Sequence, residues 1–241
     1  MEKINKLSAN ALKMIALVTM TIDHTGLLLM NNCRPLRIIG RLAFPIFAYM
    51  IAEGCRYTKN KRNYFLRIFL LGLLCQVVYY IAEQNVDQGI LMTFSVSILL
   101  SYVVLWVENR MGESCRDTGH INKILLWLLP VGLILLMAVI CGEIKLLPDG
   151  RYILFDYGFY GILLPVLIAL GRDKKQRLFL AAAGMTLIAF SLGGIQWYSL
   201  IALFPLACYN EKRGKWNLKY LFYIYYPLHM AIIYGLSMLI G

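Results

Sequence analysis

The sequence predicts an all-α protein, a polytopic transmembrane helix bundle of about nine helices with its N-terminus in the cytoplasm. Three observations carry that expectation. Of the 241 residues, 60% are hydrophobic and 15% charged, where a soluble domain carries about 25% charged residues, and the mean hydropathy is +0.65. Long apolar runs recur over the whole chain, separated by short charged clusters, as required when helices must satisfy their own backbone groups in lipid. The basic residues sit in alternate loops, which is how the positive-inside rule marks topology.

Apolar windows and their breaks place helices at 11–30, 37–55, 64–82, 91–108, 122–141, 153–170, 178–193, 195–209 and 220–240. The first starts behind Lys3 and Lys6. Asp23 and His24 interrupt it and no small-residue cleavage site follows, so it reads as a retained helix rather than a signal peptide. The second contains Pro45, which removes a ladder hydrogen bond and predicts a kink. The seventh and eighth are short and meet at Gly193-Gly194, a hinge that makes them either two tilted spans or a hairpin that does not fully cross. No internal repeat, low-complexity tract or linker interrupts the chain, so residues 1–241 read as a single integral membrane domain.

Orientation follows from the loops. Lys3 and Lys6, the 56–67 loop (Arg56, Lys59, Lys61, Arg62, Arg67), the 109–123 loop, the 172–177 loop (Arg172, Lys174, Lys175, Arg177) and the 212–219 loop (Lys212, Arg213, Lys215, Lys219) all fall on one side. The other side holds Glu83 and Asp87, then Glu143 and Asp149, then Gly193-Gly194, with Arg34 and Arg37 as the exception. The basic side is the cytoplasmic one, and an odd helix count leaves the C-terminus outside. The net charge of +11, from 24 Lys+Arg against 13 Asp+Glu, therefore reports topology and contact with membrane lipid or an anionic ligand, not nucleic acid. Cys33, Cys55, Cys75, Cys115, Cys141 and Cys208 form no CxxC pair and no zinc spacing, so no metal is expected; a disulfide between Cys33 and Cys141, both near the outer surface, stays open.

An ionisable residue at mid-membrane costs about 2.5–3.5 kcal/mol, so each needs a partner, a water-filled cavity or a function. Asp23 and His24 lie in the outer half of the first helix, roughly 20 Å from its inner end at the helical rise. Adjacent helical residues point about 100° apart, so the two cannot share a direction. Thr19 and Thr21, one turn from Asp23 and His24, offer them partial satisfaction. Arg41 enters the second helix at the depth of Asp23, either to neutralise it or to act on a substrate. His229, behind Pro227 and a run of tyrosines in the last helix, is either a packing residue or a partner in chemistry. Asp156, Tyr160 and Gln196, with Tyr226, either line an outer vestibule or anchor the interface; Trp197 reads as an anchor.

The segments LKMIALVTMTIDHTG (12–26), GRLAFPIFAYMIAEGCRYTKNKRNYFLRIFLLGL (40–73), FDYGFYGILLPVL (155–167), IQWYSLIALFPLACYNEKRG (195–214) and YIYYPLHMAIIYGL (223–236) resemble, in order, the TraX family. These are bacterial membrane proteins named for a conjugal-transfer member linked to N-terminal acetylation of pilin. The chain resembles more distantly the acyltransferase-3 superfamily, with its essential first-helix His, arginines after the second helix and a Tyr/His-containing last helix. The matching positions are His24, Arg62 with Arg67, and Tyr226 with His229; the departure is AYMIAEG in helix 2, where that superfamily has a Ser-Gly-Phe motif.

The resemblance implies a multi-pass acyltransferase of the bacterial cytoplasmic (inner) membrane. It would move an acyl group, by default acetyl, from cytoplasmic acetyl-CoA or another acyl-CoA to an acceptor at or beyond the outer face: a protein N-terminus, a glycan or a small molecule. Phosphates of the donor want cations, and Arg56, Lys59, Lys61, Arg62 and Arg67 supply them at the inner face. The pantetheine arm would then reach up the bundle to His24, the candidate general base. Asp23 would hold that imidazole, and Arg41 or His229 would stabilise the oxyanion or position the acceptor. No GxSxG is present, which favours direct transfer over a serine acyl-enzyme. The alternative class is a proton-coupled transporter using Asp23, His24, Arg41 and His229 as a midplane relay, against which stands the absence of an inverted repeat.

Overall fold

A computed structural model describes residues 6–83, 87–113, 120–142, 154–215 and 219–240. Lys3, Cys115, Glu143 and Asp149 lie outside the described residues. The helices run α1 Ala9–Leu28, α2 Arg34–Gly40, α3 Ala43–Tyr57, α4 Lys61–Glu83, α5 Ile90–Glu113, α6 His120–Ile140, α7 Gly158–Leu170, α8 Lys174–Leu192, a 3-10 helix Gly194–Ala202, α9 Leu203–Ala207 and α10 Lys219–Ile240. Counting α2 with α3, and the 3-10 helix with α9, these correspond one to one with the nine helices read from the sequence. Among the described residues, five stretches are long and apolar enough to cross a membrane: Ala9–Leu28, Arg34–Tyr57, Lys61–Ile81, Ile90–Met111 and Leu221–Leu239. The polytopic helical bundle expected from the sequence is the architecture found.

Two local features differ from expectation or refine it. The second span breaks at Arg41 and Leu42, between α2 and α3, rather than kinking at Pro45. Pro45 falls in the first turn of α3, where the amide it lacks has no intrahelical acceptor to miss. At the Gly193-Gly194 hinge both residues adopt positive φ, +65° and +55°, a region that side chains with a Cβ rarely enter. The chain leaves α8 there and continues as a nine-residue 3-10 helix, long for a winding that is uncommon beyond three or four residues.

The described residues cluster into two compact units, one comprising Met1–Met50 and Ala181–Gly241, the other Ile51–Leu180. Both junctions fall inside helices, α3 and α8, so no linker composition marks them. In the first unit α1 packs against α2 and α10. Leu17, Met20 and Ala43 form a buried cluster with Phe47, Phe222, Tyr225 and Tyr226 around it. The entry to α1 is fixed by Ser8, whose hydroxyl caps the Ala11 amide at 3.3 Å, and by backbone bonds from Ala9 N to Lys212 O at 2.8 Å and Asn210 N to Leu7 O at 2.8 Å.

In the second unit α5 is the hub, packing against α4, α6 and α7. Leu100, Val104, Ile162 and Val166 make its core. Ser97, fully buried, donates to the Thr93 carbonyl at 2.9 Å and sits 2.8 Å from the Ile162 carbonyl, a hydroxyl bridging helices as small polar residues do in membranes. Leu70, Leu74, Val77, Val78 and Ile81 of α4 are exposed. In water that face would be an aggregation surface, whereas in a bilayer it is ordinary lipid contact. Neither Cys33 nor Cys141 is in a disulfide.

Candidate functional site

The site begins with two glycines that let α1 and α2 approach closely. A Cβ on Gly26 would stand 2.7 Å from the Leu36 Cβ, and one on Gly40 would fall onto the Asp23 side chain. Small residues permit such contact between membrane helices. The close approach brings Asp23 of α1 under two arginines of the α2 turn. Arg41 Nη2 donates to both carboxylate oxygens, each at 2.8 Å, and Arg37 Nη1 donates to Oδ2 at 2.8 Å. The three side chains keep 12%, 12% and 18% of their exposure for Asp23, Arg41 and Arg37. Arg41 extends further, with Nη1 3.4 Å from the Gln196 Oε1 and Nε 3.3 Å from the Arg37 carbonyl. The sequence left open whether Asp23 meets His24 or Arg41 and did not bring in Arg37. The signal was available: Arg37 stands out on the acidic side, four residues before Arg41 and so on the same helical face.

His24, the next residue, faces elsewhere. Its Nδ1 lies 3.1 Å from Nε2 of His229 in α10, and the His229 Nδ1 lies 3.0 Å from the Tyr225 carbonyl oxygen. Hydrogen-bond logic assigns the tautomers. A carbonyl only accepts, so the His229 proton is on Nδ1 and its Nε2 carries the lone pair. That lone pair must receive a proton from the His24 Nδ1, which leaves the His24 Nε2 as an unprotonated base. His229 is buried, 5% exposed, while His24 is half-buried.

The aromatic residues around the pair hold it in place. The Tyr225 ring stacks on His229 at 5.3 Å and 11°, and the Tyr226 ring meets it edge-on at 5.6 Å. Tyr225 is itself fixed by its hydroxyl, 2.7 Å from the Thr21 Oγ1, which donates onward to the Leu17 carbonyl at 2.9 Å. Neither threonine serves the neighbour expected from spacing: Thr21 reaches Tyr225, and Thr19 donates to the Ile15 carbonyl at 2.9 Å. Asp23 likewise holds arginines and not the imidazole, so the orienting group for His24 is His229. That partnership joins residues 205 apart in sequence, which no short-range pattern encodes.

The remaining candidates divide between the units. Gln196 and Tyr226 lie in the first, on Arg41 and His229 respectively. Asp156 and Tyr160 belong to the second, at the start of α7, where the Asp156 amide donates to the Gln88 carbonyl at 3.0 Å and the Tyr160 ring packs on Phe159. Of the basic loop, Lys59, Arg62 and Arg67 are exposed. Lys61 lies 5.4 Å from the Tyr102 ring centre. Arg56 is committed to structure, with Nη2 3.1 Å from Glu108 and Nε 3.2 Å from the Ala169 carbonyl.

The TraX protein family model matches residues 8–237. A probable fimbrial assembly protein FimC, serogroup H1, of Dichelobacter nodosus is 24% identical over 253 residues, covering 96% of each chain. Protein TraX of Escherichia coli is 30% identical over 118 residues, 48% of this chain and 46% of that one. An uncharacterized protein of Rickettsia prowazekii (strain Madrid E) is 39% identical over 66 residues, 27% of this chain and 25% of that one. No solved structure matches. The family match takes in both α1, with Asp23 and His24, and the His229 turn of α10, and the chain belongs to the TraX family.

Proposed function

We propose that the protein is a membrane-embedded acyltransferase, acetyl-CoA its default donor, with His24 as general base and His229 as the group that orients it. The observation that carries the reading is the directional chain from the His24 Nδ1 to His229 and on to the Tyr225 carbonyl, which leaves a lone pair on the His24 Nε2. A base held in one tautomer by a partner on its other nitrogen is the arrangement nucleophile activation requires.

The step balances as follows. The His24 Nε2 takes the proton of an acceptor hydroxyl or amine as its oxygen or nitrogen attacks the thioester carbonyl carbon. The C–S bond then breaks, the acyl group stays on the acceptor, and the imidazolium returns the proton to the departing thiolate. As the imidazolium forms, its hydrogen bond to His229 becomes charge-assisted and strengthens. Lys59, Lys61, Arg62 and Arg67 are the cations proposed for the donor phosphates, with Arg56 beside them bonded to Glu108 and the Ala169 carbonyl. One relative is named as a fimbrial assembly protein, and a role in pilus-related assembly suits a protein N-terminus as acceptor. The membrane would be the bacterial cytoplasmic one.

The test is release of free coenzyme A from radiolabelled acetyl-CoA by the purified protein in detergent. His24→Ala should lower turnover by about 10²–10⁴-fold, the range for losing a general base. Normal turnover in that variant would overturn the assignment. The same His-His contact also suits proton-coupled transport, and uptake driven by a proton gradient into proteoliposomes, without coenzyme A release, would favour that reading instead.

A further inference from the structure

We propose that the 3-10 helix Gly194–Ala202 is a two-state strut. Anchors at both ends of its segment hold it in the long winding, and release of either lets it rewind as a shorter α-helix with Gln196 turned off Arg41.

The anchors lie at opposite ends of α1. At the far end the Gln196 Oε1 accepts from the Arg41 Nη1 at 3.4 Å, and Arg41 holds Asp23 of α1 at 2.8 Å. At the start of α1 the Leu7 amide donates to the Cys208 carbonyl at 3.0 Å, and the Asn210 amide to the Leu7 carbonyl at 2.8 Å. The Ala9 amide adds a bond to the Lys212 carbonyl, also at 2.8 Å. From Ala9 to Asp23 α1 rises about 21 Å. The stretch from Gln196 to Cys208 would cover about 18 Å as an α-helix; wound as a 3-10 helix up to Ala202, it covers about 21 Å. The longer winding supplies the missing length. It also gives a reason for nine residues of 3-10 helix, where such helices usually stop after three or four.

The side chains follow that winding. Residues three apart eclipse in a 3-10 helix: Gln196, Ser199 and Ala202 are buried, while Tyr198, Ile201 and, one step further in α9, Phe204 are exposed. In an α-helix each residue turns about 20° less. Rewinding therefore swings Gln196 about 120° relative to Ala202 and draws it about 3 Å nearer, which takes it off Arg41.

Ser199 favours the other winding. Its Oγ is fully buried and has no hydrogen-bond partner. In the α-helices the hydroxyls of Thr19, Ser95, Ser97 and Thr186 donate to the carbonyl four residues back, at 2.9, 2.8, 2.9 and 2.8 Å. An α winding offers Ser199 the Ile195 carbonyl in the same way, and that bond offsets part of the cost of losing an anchor. Gly193 and Gly194, at φ +65° and +55°, let the chain re-aim where it leaves α8. The backbone strap at Leu7 and the Asp23–Arg41 cluster are thereby coupled along one segment.

The test measures the length of that segment, in the full chain in lipid nanodiscs, by pulsed dipolar spectroscopy between nitroxide-bearing non-natural residues at Ile195 and Ala207. Rewinding shortens this distance by about 3–4 Å. Leu7→Pro removes the amide that holds Cys208, and Gln196→Leu removes the oxygen that Arg41 holds; each should shift the distribution by that amount. Gly214→Val, whose Cβ would stand 2.8 Å from the Ser8 Oγ, disturbs the same strap and replaces Leu7→Pro if that chain does not fold. Ser199→Ala added to Gln196→Leu removes what the α winding gains and should return the distance toward the parent value. The proposal is overturned if either anchor variant keeps the parent distance, if the distribution broadens without a shorter peak, or if Ser199→Ala leaves the shortened distance unchanged.

Discussion

Each unit holds a group of charges, and the two groups differ in how far water reaches them. In the second unit Glu53 meets Arg177 at 2.8 Å with side-chain exposures of 12% and 4%. Gly171 leaves room for it, since a Cβ there would stand 2.5 Å from the Arg177 Cγ. Glu108 also takes two arginines, Arg56 and Arg172, but the Arg172 side chain is 77% exposed and water carries its charge. In the first unit both arginines on Asp23 are half-buried, with side-chain exposures of 18% for Arg37 and 12% for Arg41. A balanced buried pair needs nothing more than its partner. Removing a partner from the enclosed cluster therefore strands more charge than removing a solvated arginine.

Double substitutions draw that line with the largest expected effect. Glu53→Gln and Asp23→Asn should each cost about 3–5 kcal/mol of stability, because each strands buried arginine. Glu53→Leu with Arg177→Met should recover most of that loss, as replacing a balanced pair by apolar side chains of similar volume is often neutral. Asp23→Leu with Arg41→Met should not recover, since Arg37 is left without its carboxylate. Unfolding midpoints in detergent decide it, and equal rescue of both pairs would erase the distinction.

The histidine relay comes next. His229→Phe keeps an aromatic ring between Tyr225 and Tyr226 but removes the lone pair that fixes the His24 tautomer. Turnover should fall about 10–100-fold, or about 1.4–2.7 kcal/mol of barrier, with the unfolding midpoint near that of the parent. A fall in stability with turnover per folded molecule unchanged would make His229 a packing residue. Gly40→Ala tests the scaffold beneath the site: its methyl group meets the Asp23 side chain, and overpacking of this sort costs about 1–3 kcal/mol. Gly132→Ala, where a Cβ meets nothing within 4 Å, is the control and should be near neutral or stabilising.

Much of this was legible in the sequence, for a physical reason: lipid forces helices and taxes charge, so both leave marks. The nine helical stretches and the Gly193-Gly194 hinge follow from run length and glycine, and burial cost singles out Asp23 and Arg41 without deciding whether Asp23 meets Arg41 or His24. Three things did not. The break at Arg41 and Leu42 directly follows Gly40, but single glycines are common inside membrane helices, and Pro45 drew attention to the wrong turn. The 3-10 winding of GIQWYSLIA is hidden because residues at i and i+3 share a face in an α-helix pattern too, only less closely. The commitment of Arg56 to Glu108 and Ala169 depends on α5 and α7 packing beside α3, and tertiary contacts of that range are not written locally.

The smallest expected effect tests the same contrast from its weak side. Arg172→Ala removes a charge 3.1 Å from Glu108, a distance comparable to those at Asp23, so distance alone predicts a similar penalty. Exposure predicts otherwise. With 77% of its side chain in solvent, Arg172 loses little hydration on pairing and gains little from it, and Glu108 keeps Arg56 at 3.1 Å when it goes. The cost should be at most about 0.5 kcal/mol and should shrink further as salt is raised. Arg37→Ala, by contrast, removes a guanidinium whose side chain is only 18% exposed, so its effect on the unfolding midpoint should depend less on salt. If the two variants instead respond alike to salt, burial does not distinguish the two clusters.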